Sequence, residues 1–127
     1  MRVQVRRVYE EPGPEDGMRI LVDRLWPRGL SKQAAAIDEW MKDLGPSHEL
    51  RKWFGHDPAR WREFRRRYLV ELRGQREALA AIAQKARKHT VTLVFGAHDT
   101  EHNEAVVLEG VIERLANRTT RSRRRVA

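Results

Sequence analysis

Residues 90–115, TVTLVFGAHDTEHNEAVVLEGVIERL, pass from a strand to a helix through a polar hinge. TVTLVF is a short apolar run rich in β-branched residues, the pattern of a strand buried on both faces. Gly96 and Ala97 end it, and the polar run HDTEHN follows. Beyond the hinge Leu108, Val111, Ile112 and Leu115 recur at spacings of three and four, which predicts a helix over about residues 101–117. A buried strand that feeds directly into a helix is the repeating unit of a parallel sheet.

The rest of the chain repeats that logic. Val3, Val5 and Val8 alternate with polar residues and predict a first strand over residues 2–9. Residues 10–17, EEPGPEDG, form a surface turn, and MRILVD (18–23) supplies a second buried strand. Pro27 and Gly29 make residues 24–31 a loop. Over residues 37–44 the apolar positions Ile37, Trp40, Met41 and Leu44 have helical spacing. Ser47 is a good N-cap for a short helix at 48–54, and Asp57-Pro58 starts another over about 58–73. A helix over 75–88 follows Gly74. The expected architecture is α/β: one small domain with a mainly parallel sheet of about four strands flanked by helices.

With 127 residues the chain has the size of one domain. It contains no cysteine, which excludes disulfides, thiolate metal sites and cysteine nucleophiles. The N-terminus has no apolar signal-peptide core, and no run approaches a membrane span, so the expected location is the cytoplasm. The net charge is +8, and five of those charges sit in Arg118, Arg121, Arg123, Arg124 and Arg125. The body, residues 1–117, is therefore only mildly basic. Residues 118–127 read as a solvated, disordered basic tail that would attract nucleic acid through its phosphates. Arg65, Arg66 and Arg67 cannot all face one way on a helix, so they are a weak nucleic-acid signal.

Ligands of parallel sheets bind beyond the carboxyl ends of the strands. The loop after the second strand holds Asp23, Arg24, Trp26 and Arg28. Two planar guanidinium groups there suit a phosphate or carboxylate, unless Asp23 simply pairs with one of them. The hinge at 98–103 holds His98, Asp99, Thr100, His102 and Asn103 where a helix begins, with Asp99 or Thr100 as the expected N-cap. A histidine there suits acid–base chemistry, since imidazole titrates near neutrality. A metal would need ligands from elsewhere, such as His56 or Asp57, and none is assigned. Lys42, Ser47 and Arg51 form a third group around Gly45-Pro46, with Ser47 reading as a cap rather than a nucleophile.

Three long segments, VDRLWPRGLSK (22–32), DEWMKDLGPSHELRKWFGHDPARWREFRRRY (38–68) and TVTLVFGAHDTEHNEAVVL (90–108), closely resemble the YeaO-like family, domain of unknown function 488. The resemblance extends to about residue 117. It implies a small α/β domain in which residues 37–44 form a strand rather than a helix, and that reading is adopted. It also implies recurrent positions at Arg24, Trp26, Pro27, Arg28, Lys42, Ser47, Arg51, Asp99, His102 and Asn103. Two departures stand out: Phe95 where tyrosine is common, and His98 where lysine or arginine is common. The resemblance carries no reaction, cofactor or oligomeric state.

Two functional readings follow. In the first, a small anionic ligand, phosphate or carboxylate, is held by Arg24, Arg28, Lys42, Ser47, Arg51 and Asn103, with His102 as acid–base group and Asp99 orienting it. In the second, a regulatory or nucleic-acid-binding protein works through the basic tail.

Overall fold

Four strands, β1 (Arg2–Arg7), β2 (Met18–Leu21), β3 (Glu39–Trp40) and β4 (Thr90–Phe95), form one sheet in the order β1-β4-β2-β3, and every pairing is parallel. The computed structural model describes residues 2–126, with the backbone alone for residues 119–126. Parallel neighbours require crossovers, and here helices supply them. They are α1 (Lys32–Ala35), α2 (His48–Phe54), α3 (Trp61–Glu71) and α4 (Arg76–Ala86), while α5 (Glu104–Val126) follows the last strand.

The period of two sorts the central strands between two cores. Val91, Leu93 and Phe95 of β4, with Ile20 and Val22, enter the main core under α2–α5. Val94 faces the other way, toward Val8, Ala35, Trp26 and Ile37 beneath α1. The sheet is thus covered on both faces, and the α/β reading holds.

A buried ionic knot secures the second face. Arg19 is 4% exposed, and its guanidinium bonds Asp16 at 2.6 Å and the carbonyls of Ala35 and Ala36 at 3.0 and 3.1 Å. Arg6 from β1 approaches the same carboxylate at 3.1 Å. Burial pushes the Asp16 carboxyl up, but the Gly13 N–H and the two arginines outweigh it and hold it below the usual range.

Three boundaries differ from the sequence reading. The strand expected over residues 37–44 shrinks to Glu39–Trp40, followed by a 3-10 turn, Lys42–Leu44. The apolar residues of this segment divide between the cores: Ile37 packs with α1, while Met41 and Leu44 join the main core. Neither one helix nor one long strand can serve both sides. The helices expected over residues 58–73 and 75–88 are joined and preceded by 3-10 turns, Leu72–Gln75 and Pro58–Arg60. Finally, α5 runs to Val126 rather than ending near residue 117, so residues 118–126 of the basic tail have a helical backbone. The tail's side chains from residue 119 on, and residue 127, lie outside the described residues. Among the described residues no helix is long and apolar enough to cross a membrane.

The turn into β2 depends on Gly17, whose φ is +61° and where a Cβ would lie 2.2 Å from the Thr90 carbonyl oxygen. Gly17→Ala is expected to destabilise the protein by more than ~1 kcal/mol. Gly74→Ala, where a Cβ meets nothing within 4 Å, should be neutral or stabilising by up to ~1 kcal/mol. Urea denaturation of the two variants checks the contrast, and equal losses would remove the assigned role of Gly17.

Candidate functional site

The segments that leave β1, β2 and β4 at their carboxyl ends surround a cleft of about 950 Å³. Its walls are largely apolar, with Leu25, Trp26 and Pro27 from the loop after β2, and Pro46, Phe54 and Phe64 from α2, α3 and the turn before them. Among these apolar walls stand Asp23, Arg24, Arg51, Asp99, His102, Asn103 and Glu104. A cleft of this kind, apolar with a few convergent polar groups, is the usual form of a small-molecule site.

Asp23 and Glu104 form its most unusual feature. Asp23 lies just past β2, where Val22 still bonds Val94 across the sheet at 3.1 Å. Its Oδ2 accepts the Gly96 N–H at 2.9 Å. A Cβ at residue 96 would sit 2.9 Å from that oxygen, so a larger residue there would displace the Asp23 carboxylate. The other oxygen, Oδ1, is buried and receives no N–H or hydroxyl donor. Glu104, the first residue of α5, lines the same cleft as Asp23. Burial first, then the Asp23 carboxyl and its negative charge, push the Glu104 carboxyl well above the usual carboxylate range; Arg51 only partly opposes them. Tyr68 beneath is also pushed up, by its own burial and then by the charges of Glu104, Glu71 and Asp23, and its hydroxyl donates to the Leu44 carbonyl.

The hinge after β4 builds a second unit. Asp99 Oδ1 accepts the N–H groups of Glu101 and His102 at 2.9 and 3.0 Å, and Oδ2 lies 2.8 Å from His102 Nδ1. The Glu101 N–H, then the His102 ring, hold the Asp99 carboxyl below its usual range. The imidazole is further braced edge-on by Trp61, with centroids 5.2 Å apart. Asn103, not Asp99 or Thr100, caps α5: its Oδ1 accepts the Val106 N–H at 3.1 Å while its amide donates to the Asp99 carbonyl. Asp99 caps the turn before the helix instead.

The structure gathers some of the expected residues and scatters others. Asp99, His102, Asn103, Arg24 and Arg51 line the cleft. Arg24 is committed, donating to the Gly45 and Pro46 carbonyls at 2.8 and 2.9 Å, and Asp23 pairs with neither Arg24 nor Arg28. Arg28 is exposed and lies outside the cleft lining. Lys42 rests over the Trp40 ring, 5.5 Å from its centroid, and also lies outside it. Ser47 caps α2 through the Leu50 N–H and bonds Glu71 at 2.6 Å. Phe95 is buried in the core, so its ring is not part of the cleft. Among the described residues no three histidine or acidic side chains meet as a metal-binding group. The sequence reading missed Glu104 entirely; its only signal is an acid directly after the polar hinge.

Glu104 makes stability pH-dependent. Its carboxyl is raised in the folded state, so its contribution is complete below the ordinary glutamate range and is lost as pH rises through the raised value. Between pH 5 and 8 denaturation midpoints should fall with pH relative to Glu104→Gln, by up to ~1.4 kcal/mol per pH unit. Parallel pH profiles for the two proteins would show that Glu104 does not hold a proton in the fold.

The chain matches the DUF488-N3i family, described as the inactive DUF488-N3 subclade, over residues 2–126, a match that reaches beyond residue 117. It is 44% identical over 108 residues to the uncharacterized protein YeaO of Escherichia coli (strain K12), covering 85% of this chain and 94% of that one. It is 43% identical over 107 residues to the uncharacterized protein Mb3100c of Mycobacterium bovis and, equally, to Rv3073c of Mycobacterium tuberculosis (strain H37Rv), covering 84% of this chain and 90% of each. No solved structure matches it. A fold with parallel strands at its centre, a family match over nearly every residue and identity above 40% along YeaO's length agree: this chain belongs to the YeaO-like DUF488 family.

Proposed function

We propose that the cleft binds a small organic anion, a carboxylate or phosphate carrying an apolar body. The observation that carries this reading is Arg51. It lines the cleft, and among the described residues its guanidinium has neither a hydrogen-bonded partner nor an ion pair within 4.0 Å. A guanidinium held by no hydrogen bond or ion pair, with only the longer-range charge of Glu104 acting on it, has donors free for an anion. The Asp99-oriented His102 adds a second polar contact, and Trp26, Phe54 and Phe64 supply the apolar surface. Arg24 shapes the loop rather than contacting the anion. Arg28, Lys42 and Ser47 lie outside this proposed contact set. The family's description as an inactive subclade supports binding without turnover.

The nucleic-acid reading keeps only the charge of residues 118–127, taken here as a basic extension of the α/β unit formed by residues 1–117. On α3 two of the arginines are engaged: Arg66 and Arg67 both bond Glu63, at 2.7–2.9 Å, drawing its carboxyl down to about 2. Arg67 also covers the Trp53 ring at 4.3 Å.

Thermal shift and calorimetry of the full chain with 3-phenylpropionate and inorganic phosphate test the proposal. An anion at 100 times its dissociation constant should add ~2.7 kcal/mol of stability. Arg51→Ala should weaken its binding by ~1.5–3 kcal/mol. Unaltered affinity in Arg51→Ala would reject the site. Arg24→Ala should instead lower the melting temperature without ligand, since it frees two backbone carbonyls.

A further inference from the structure

We propose that the ligand of this cleft is a zwitterion of the amino-acid class, with its ammonium group on the Asp23–Glu104 carboxyl pair and its anionic group on Arg51. The proposal rests on the anion-site reading above and adds the second half of the ligand.

The case begins with an imbalance of donors. The two carboxyl groups have four oxygens between them. They receive the N–H of Gly96 and the backbone N–H of Glu104 itself. Asp23 Oδ1 is buried with no N–H or hydroxyl directed at it. Two nearby donors are spent, Arg24 on two carbonyls and Tyr68 on Leu44. An ammonium brings three N–H groups and no acceptor, which is what this end of the cleft lacks.

The charges around the pair fix the rest. Arg51 from α2 acts on Glu104 by its charge, Tyr68 from α3 lies near both carboxyls, and Arg24, His48, Lys52, Asp99 and His102 also line the cleft. One cleft thus holds an acidic pair and, near it, a guanidinium without a hydrogen-bonded partner, among aromatic and aliphatic walls. A simple anion would satisfy Arg51 and leave the carboxyl pair short of donors. A simple amine would do the reverse. A zwitterion with a hydrocarbon side chain satisfies both ends and the walls.

Binding is then coupled to a proton. Burial and the charge of Asp23 favour the protonated form of the Glu104 carboxyl in the free cleft. When an ammonium takes the position between the carboxyls, that proton leaves to solvent and the pair becomes dianionic. Affinity must therefore rise with pH while the empty pair remains protonated.

Isothermal titration calorimetry of the full chain, in two buffers of different ionisation enthalpy between pH 6 and 8, tests this with three matched probes: L-phenylalanine, 3-phenylpropionate and phenethylammonium. L-Phenylalanine should bind at least about tenfold more tightly than either singly charged probe, the scale of one charge-assisted hydrogen bond. It should release up to one proton and gain up to about tenfold in affinity per pH unit. In Glu104→Gln both the preference for the amine and the pH dependence should vanish. If 3-phenylpropionate binds as tightly as phenylalanine with no proton release, the zwitterion inference falls and the anion site stands. If phenethylammonium matches phenylalanine, or no probe binds, the anion reading falls with it. The proton count is read on the unaltered chain, so it decides the matter even if Glu104→Gln folds poorly.

Discussion

Strand β4 is hydrogen-bonded along both edges, to β1 on one side and β2 on the other, and it is buried from Val91 to Phe95. An inner parallel strand has no solvent face, so each of its side chains must find an apolar or fully bonded place. That requirement dictates helices on one face and the α1 loop on the other. It also explains Thr92, the polar residue of the buried stretch, whose hydroxyl donates to the Asp16 carbonyl and accepts from Gln4. Where β4 ends, the backbone passes from a paired ladder to free groups. Gly96 offers the first free N–H, and Asp23 takes it. The position of the cleft is thus a consequence of where the ladder stops.

The two polar systems of the protein are built on opposite terms. In the knot around Asp16 the buried carboxylate is met by two arginines and a backbone N–H, so the charge is retained inside the fold. In the cleft, Asp23 and Glu104 meet each other, with Arg51 as a more distant counter-charge. Breaking a buried charge pair by removing one partner costs ~3–5 kcal/mol, so Arg19 and Asp16 are structural necessities.

How much of this could be read from the residues follows the range of the interactions. Local patterns were legible: TVTLVF as a central strand, Ser47 and Asp57 as caps, the Asp99–His102 pairing three residues apart. The logic of strand ends pointed to residues 23–29 and 98–103, and Asp23 to Pro27, His98, Asp99, His102 and Asn103 of these line a cleft. Features that depend on distant partners were not legible. Arg24 looks like an anion ligand until Gly45 and Pro46 are folded against it, 21 and 22 residues away. Glu104 looks like an ordinary acid in the first turn of a helix, where the dipole favours negative charge. Only its burial and the charge of Asp23, 81 positions earlier, push its carboxyl well above the usual range. Residues 37–44 failed for a related reason, since their apolar side chains serve two cores at once.

The brevity of β3 has an effect outside the cleft. A parallel sheet that ends in a long, open strand presents a row of unused backbone groups to any other extended chain. Here that border is two residues long, and it is closed off at once by the 3-10 turn Lys42–Leu44. The indole of Trp40 is tied to the Asp23 carbonyl at 2.8 Å and lies 5.5 Å from the ring of Trp26. The sheet is thereby self-terminating on this side, and the protein can keep an all-parallel, strongly apolar centre without offering a template for runaway β-assembly.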